Sequence, residues 1–159
     1  MNARTMTQPE LDEQLVQHLA KIADRLDGGD ENVDLPLLEE FNRLAGTEIP
    51  FAEFQGIYGG EDHITYVRRV LTERATNADP SLDRDRLIEM FTKVLADPCD
   101  DAYLEYVFAT VEKTFGDSQV SDLVFWPGVY FGDADNQREL KPDEMADAVL
   151  GRYVQRKKR

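Results

Sequence analysis

A single cysteine, Cys99, stands in 159 residues, so no internal disulfide can form. Two histidines, His18 and His63, lie far apart in sequence, and no zinc-ligand spacing can be written from them and Cys99. No run of about 18 apolar residues occurs, which excludes a membrane span. The opening "MNARTMTQPELDEQ" has no apolar signal core, so export is not indicated and a cytoplasmic protein is expected. The glycine pairs in "DGGDEN" and "IYGGED" lack the lysine of a phosphate loop, and their acids repel phosphate. Basic residues are also scarce: 18 against 32 acids, a formal charge of −14. Five of those 18 sit in the last eight residues, "RYVQRKKR", leaving residues 1–151 at −19. Such a body repels nucleic acid and steers a basic protein. Simple solubility explains the same charge, and a frayed, solvated end explains the basic tail.

What is present is apolar periodicity. At 42% apolar the chain can fill a core. Leu11, Leu15, Leu19, Ile22 and Leu26 recur at helical intervals, after a possible start at Thr7, Pro9 and Glu10. Leu37, Leu38, Phe41 and Leu44 predict a second helix from about Leu35 to Ala45, stopped by Gly46. A short aromatic stretch, "IPFAEFQGIYGG", precedes a helix over about 62–74. The second half repeats this order. Asp79 and Pro80 suggest a start for the helix that carries Leu87, Ile88, Phe91, Val94 and Leu95. A helix over 102–115 follows, then "SDLVFWPGVYFGD", then a last helix opened by Pro142. Sliding the halves past each other aligns Leu15, Leu19 and Ile22 with Leu87, Phe91 and Val94 at an offset of 72. Leu38, Phe41 and Gly46 meet Phe108, Val111 and Gly116 at 70. Phe54 meets Trp126, and "GIYGGE" meets "GVYFGD", at 72 again. The expected fold is all-α: two tandem four-helix units packed together, over 1–78 and 79–159, each with a short third helix.

The richest motif is "SDLVFWP", residues 121–127. Asp122 is placed to cap a one-turn helix and Pro127 to end it. Adjacent Phe125 and Trp126 diverge by about 100° on a helix and cannot fill one core pocket. Whether Trp126 plugs a gap between helices or stands at the surface is left open. Leu123 and Val124 are expected inward.

With Ala96 and Asp97 between the first two helices, then Leu104, Glu112, "SDLVFWP" and the amphipathic "PDEMADAVLGRY", residues 82–155 resemble the immunity proteins of nuclease colicins and pyocins. The family's tyrosine pair is Phe125 and Trp126 here. The resemblance implies an inhibitor that binds a basic bacteriocin nuclease domain, as a monomer or weak dimer. It implies that the aromatic turn (Asp122, Phe125, Trp126, Pro127, Tyr130) supplies affinity. Acids of the second helix (Asp100, Asp101, Glu105, Glu112) would supply charge and specificity. The first half would be a degenerate copy. The alternative is an acidic helical adaptor, or a structural module of the same fold without a toxin partner. Solvated helix faces are the usual fate of such acids.

Other chemistry is thinly supported. Asp133, Asp135, Gln137 and Glu144 imitate calcium-loop positions 1, 3, 5 and 12, but Arg138 replaces the glycine that loop requires. Cys99 with His63 or His18 can be written as a nucleophile pair only on paper. No cofactor, metal or catalytic constellation is expected.

Overall fold

The computed structural model describes residues 8–133 and 138–158. Every regular element among them is helical, with no strand. The chain divides into two compact units, one over Gln8–Ala75 and one from Thr76 onward.

In the N-terminal unit, α1 spans Glu13–Leu26, α2 Glu31–Ala45 and α3 His63–Ala75. Two 3-10 turns, Phe51–Phe54 and Ile57–Gly59, lie between α2 and α3. Helix α1 starts later than the sequence suggests. Asp12 is its cap, with Oδ1 accepting from the amides of Gln14 (3.0 Å) and Leu15 (3.3 Å). Pro9 and Glu10 precede the helix, and Thr7 lies outside the described residues. Helix α2 starts four residues earlier than expected. Asp30 accepts from the Asn32 amide at 2.9 Å, and Asp34 reaches back to the Asp30 amide at 3.1 Å. Together they fix a first turn strong enough to carry Pro36 inside the helix. The donor that proline lacks would have served the carbonyl of Asn32, an exposed residue within reach of water. Gly46, at φ 70°, closes α2 in the left-handed region.

The core of this unit is Val16, Leu19, Leu26, Phe41, Phe54 and Val67, all buried. Phe54 from the first 3-10 turn meets Phe41 edge-on at 4.9 Å and Tyr66 at 5.8 Å. Asp27, just past α1, ties the second turn down. Its carboxylate accepts from the amides of Gly56 and Tyr58, both at 2.9 Å, and from His63 Nε2 at 3.0 Å.

The C-terminal unit has α4 over Arg84–Ala96, α5 over Asp101–Phe115, α6 over Val120–Phe125, α7 over Pro127–Phe131 and α8 over Pro142–Lys157. Asp79 does not cap α4. Its Oδ1 is taken by Ser81, amide at 3.0 Å and hydroxyl at 2.6 Å, which makes a separate turn. Asp83 caps α4 instead, accepting from the Arg86 amide at 2.9 Å. Leu87, Phe91 and Val94 of α4 are buried with Val107 and Val111 of α5, Leu123 of α6, and Met145 and Val149 of α8. The basic end is not a loose tail, since α8 runs to Lys157. Arg156 Nη2 donates to the Phe115 carbonyl at 2.6 Å, placing a cation at the negative end of α5. The Lys157 ammonium lies 4.6 Å from the Tyr153 ring centre.

The Tyr58 amide, then the His63 and Gly56 bonds, hold the Asp27 carboxyl below its usual range against the opposing effect of burial. A depressed folded-state pKa contributes stability above the unfolded value, near 4, and loses it as pH falls through the folded value. Asp27→Asn should therefore destabilise the N-terminal unit at pH 7. The gap to wild type should close as pH falls below about 4, read from urea midpoints across pH 7 to 3.

Candidate docking surface

Pro127 has no amide hydrogen, and its ring opposes continuation of the helix that precedes it. The helical region is disfavoured for the residue before a proline. Trp126 accordingly sits at φ −140°, ψ 64°, both the last cap of α6 and the first of α7. Its amide donates to the Asp122 carbonyl at 2.6 Å, and its carbonyl accepts from Val129 (2.9 Å) and Tyr130 (3.2 Å). Pro127 is the first residue of α7, where a missing donor costs nothing. Gly132, at φ 73°, ends α7. Two short helices thus meet at a corner whose apex is the Trp126 backbone.

That corner sorts the side chains. Leu123, Pro127 and Tyr130 point inward and are buried. Phe125 is 45% exposed, Trp126 60%, Val129 49% and Phe131 52%. Val124 is half-buried and packs against the core. Trp126 is therefore a surface residue, which the sequence left undecided.

Three expectations about this stretch are corrected. Asp122 does not cap α6. The helix starts at Val120, a buried anchor, and Gln119 holds the cap position, so Asp122 is already its third residue. Pro127 and Tyr130 do not belong to the exposed surface and instead shape it from beneath. The Tyr130 hydroxyl donates to Asp117 Oδ2 at 2.6 Å, and its ring is only 1% exposed. Burial, then the Asp117 bond, pushes the phenol far above its usual range, so it stays a donor.

The acids of α5 divide as well. Asp100 accepts from the Tyr103 amide at 3.1 Å and is the cap of that helix. Asp101, Glu105 and Glu112 follow at spacings of four and seven, which keeps them on one helical face. Asp101 and Glu112 are exposed and Glu105 is half-buried. Phe108, which the repeat sets opposite Leu38, falls on the same stripe. It is half-buried, and its ring meets Phe125 edge-on at 6.2 Å. Phe108 is the hinge between the acidic stripe and the aromatic corner. Its place in the series 101, 105, 108, 112 was the available signal. Val129 and Phe131 are further surface residues that the sequence pattern did not single out.

The N-terminal unit lacks an equivalent corner. At an offset of 72, Tyr58 would match Tyr130, yet Tyr58 is 82% exposed and Tyr130 is buried. An offset of 73 restores agreement: Phe54 with Pro127 and Ile57 with Tyr130 are buried, Tyr58 with Phe131 exposed. Ala52 and Glu53 then occupy the places of Phe125 and Trp126. The first-helix caps, Asp12 and Asp83, are 71 apart rather than 72. Asp30 and Asp100, like Gly46 and Gly116, are 70 apart.

His63 bonds Asp27 and His18 bonds Glu40 (3.0 Å) within the N-terminal unit, whereas Cys99 is exposed in the C-terminal unit. Of the calcium-like positions, Asp135 and Gln137 lie outside the described residues. Glu144 accepts from the Lys141 amide at 3.1 Å and lies 3.6 Å from Arg138. Among the described residues no cluster of three or more His, Cys, Asp or Glu is disposed to hold a metal, and no helix is long and apolar enough to cross a membrane. No protein-family model, curated protein or solved structure matches the chain.

The burial pattern separates two substitutions. Leu123→Ala should destabilise the C-terminal unit by about 2–5 kcal/mol, the range for a buried leucine. Trp126→Ala should cost no more than about 2 kcal/mol, because most of the ring is already in water. Chemical denaturation of both variants measures the difference.

Proposed function

We propose that this protein binds a basic partner protein through its C-terminal unit, in the manner of the nuclease-bacteriocin immunity proteins it resembles. The observation that carries the reading is the exposed quartet Phe125, Trp126, Val129 and Phe131, joined through Phe108 to the acidic stripe Asp101, Glu105 and Glu112. Exposed aromatics on a fixed turn suit interface anchors. A stripe of carboxylates, on a body carrying −19 over residues 1–151, suits the steering of a basic surface. The partner proposed is a bacteriocin nuclease domain in the cytoplasm. Covering its basic substrate-binding face would exclude a polyanionic substrate without any contact to catalytic groups.

The same reading treats the chain as a duplication of one four-helix unit. It is supported by the shared order of two long helices, a short turn element and a long helix, and by aspartate caps and glycine stops at matched places. With Ala52 and Glu53 where the C-terminal unit has Phe125 and Trp126, the N-terminal copy keeps only Tyr58, the match of Phe131, as a largely exposed aromatic in this segment. The proposed binding is therefore one partner per chain.

The test is a binding assay against purified bacteriocin nuclease domains, with nuclease activity followed in parallel. At least one domain should bind one-to-one and lose activity. Trp126→Ala should weaken that complex by at least about 2 kcal/mol. Association should slow markedly between low salt and about 0.5 M, as the screening length shrinks. Binding indifferent to Trp126, or no binding by any domain, sinks the proposal.

A further inference from the structure

Helices α6 and α7 have six and five residues, too few to hold their own shape in water. They carry exposed apolar side chains that gain by collapsing onto any neighbouring surface. Something outside them must keep the corner at Trp126 open. The candidate is Arg152 on α8. Its Nη1 donates to Gln119 Oε1 at 2.9 Å, at the entry to α6. Its Nη2 donates to the Tyr130 carbonyl, within α7. The guanidinium carbon Cζ lies over the Tyr130 ring, 3.4 Å from the ring centre. Asp117 Oδ1 is 3.8 Å from Nη1 and accepts from the Gln119 amide at 3.0 Å, while Oδ2 accepts from the Tyr130 hydroxyl. The four residues form a closed ring of contacts, and Trp126 lies in the segment between its two ends.

We propose that Arg152 is a positioning residue for the docking turn: by pinning Gln119 and Tyr130 at once, it holds Phe125 and Trp126 in their outward, binding-ready arrangement. The proposal rests on the reading that this turn docks a partner. A guanidinium's rigid fork can bond two acceptors while its carbon sits over a ring, whereas a lysine ammonium at the same place would keep the charge and lose the fork. An anchor ordered in advance loses less freedom on binding, so the clamp should act on affinity without touching the partner. Arg156 provides the control. It lies one turn further along α8 and bonds the Phe115 carbonyl, not the corner.

Trp126 is the only tryptophan in the chain, so its fluorescence reports on the corner alone. Time-resolved anisotropy should be measured on the full-length protein, with circular dichroism to establish that each variant is folded. In Arg152→Lys and Arg152→Met the fast, nanosecond component of Trp126 should at least double in amplitude, with helicity retained. Arg156→Gln should leave it unchanged. Against a nuclease domain that binds wild type, Arg152→Lys should lose about tenfold in affinity, with the salt dependence of association unaltered. A folded Arg152→Lys with wild-type Trp126 anisotropy overturns the proposal and makes Arg152 a purely structural residue. So does an Arg152→Lys with a mobile Trp126 and undiminished affinity. Should Arg152→Met fail to fold, Arg152→Lys carries the test. Failure of the docking reading shows separately, as wild-type binding by Trp126→Ala.

Discussion

The helix that Pro127 makes impossible governs the C-terminal unit. Had residues 120–131 continued as one helix, Phe125, Trp126, Val129 and Tyr130 would have followed a single 3.6-residue repeat. The break at Trp126 divides that repeat between two short helices. Leu123 and Tyr130, seven residues apart, both face inward, one from each short helix, while Phe125 and Trp126 before the break face out. The most apolar stretch of the chain thus leaves Phe125, Trp126, Val129 and Phe131 at the surface. The exposed area this leaves is sustained because the corner is tied from below through Tyr130, Asp117 and Arg152.

Charge is used in two ways that composition cannot separate. Asp12, Asp30, Asp83 and Asp100 each accept a backbone amide at a helix start, and Asp27 holds a turn. These aspartates act locally, satisfying donors that would otherwise lack a partner. They still add to the negative field around the molecule. Asp101 and Glu112 are exposed and serve no cap, so their charge is turned to solvent. The cations follow the same division. Arg152 and Arg156 turn inward onto carbonyls, and Arg68 forks onto Glu13 with bonds of 2.6 and 2.7 Å.

The two units use the same devices to different ends. Both begin their second helix with an aspartate and end it with a left-handed glycine. They differ in the short segment that follows. In the N-terminal unit it is two 3-10 turns, and Phe54 and Ile57 are spent on the core. In the C-terminal unit it is two α-helical turns whose aromatics are partly left over. Tyr58, stacked on His63 at 6.4 Å, is the one large aromatic that the N-terminal segment leaves mostly in water.

Sequence alone determined the all-α class, because helical periodicity is a local property of the chain and each apolar stripe carries it. It also located the second-helix stops, since Gly46 and Gly116 follow directly from the end of an apolar repeat. It misplaced the starts of α1, α2 and α4. Several acids stood near each start, and which carboxylate reaches which amide depends on the path of the chain. It singled out "SDLVFWP" from composition but left the side of Trp126 open and put Tyr130 on the wrong one. Only the tertiary structure decided those points. The inward or outward fate of an aromatic beside a helix break is set by what waits on each side, here Asp117 and Arg152 for Tyr130, and water for Trp126.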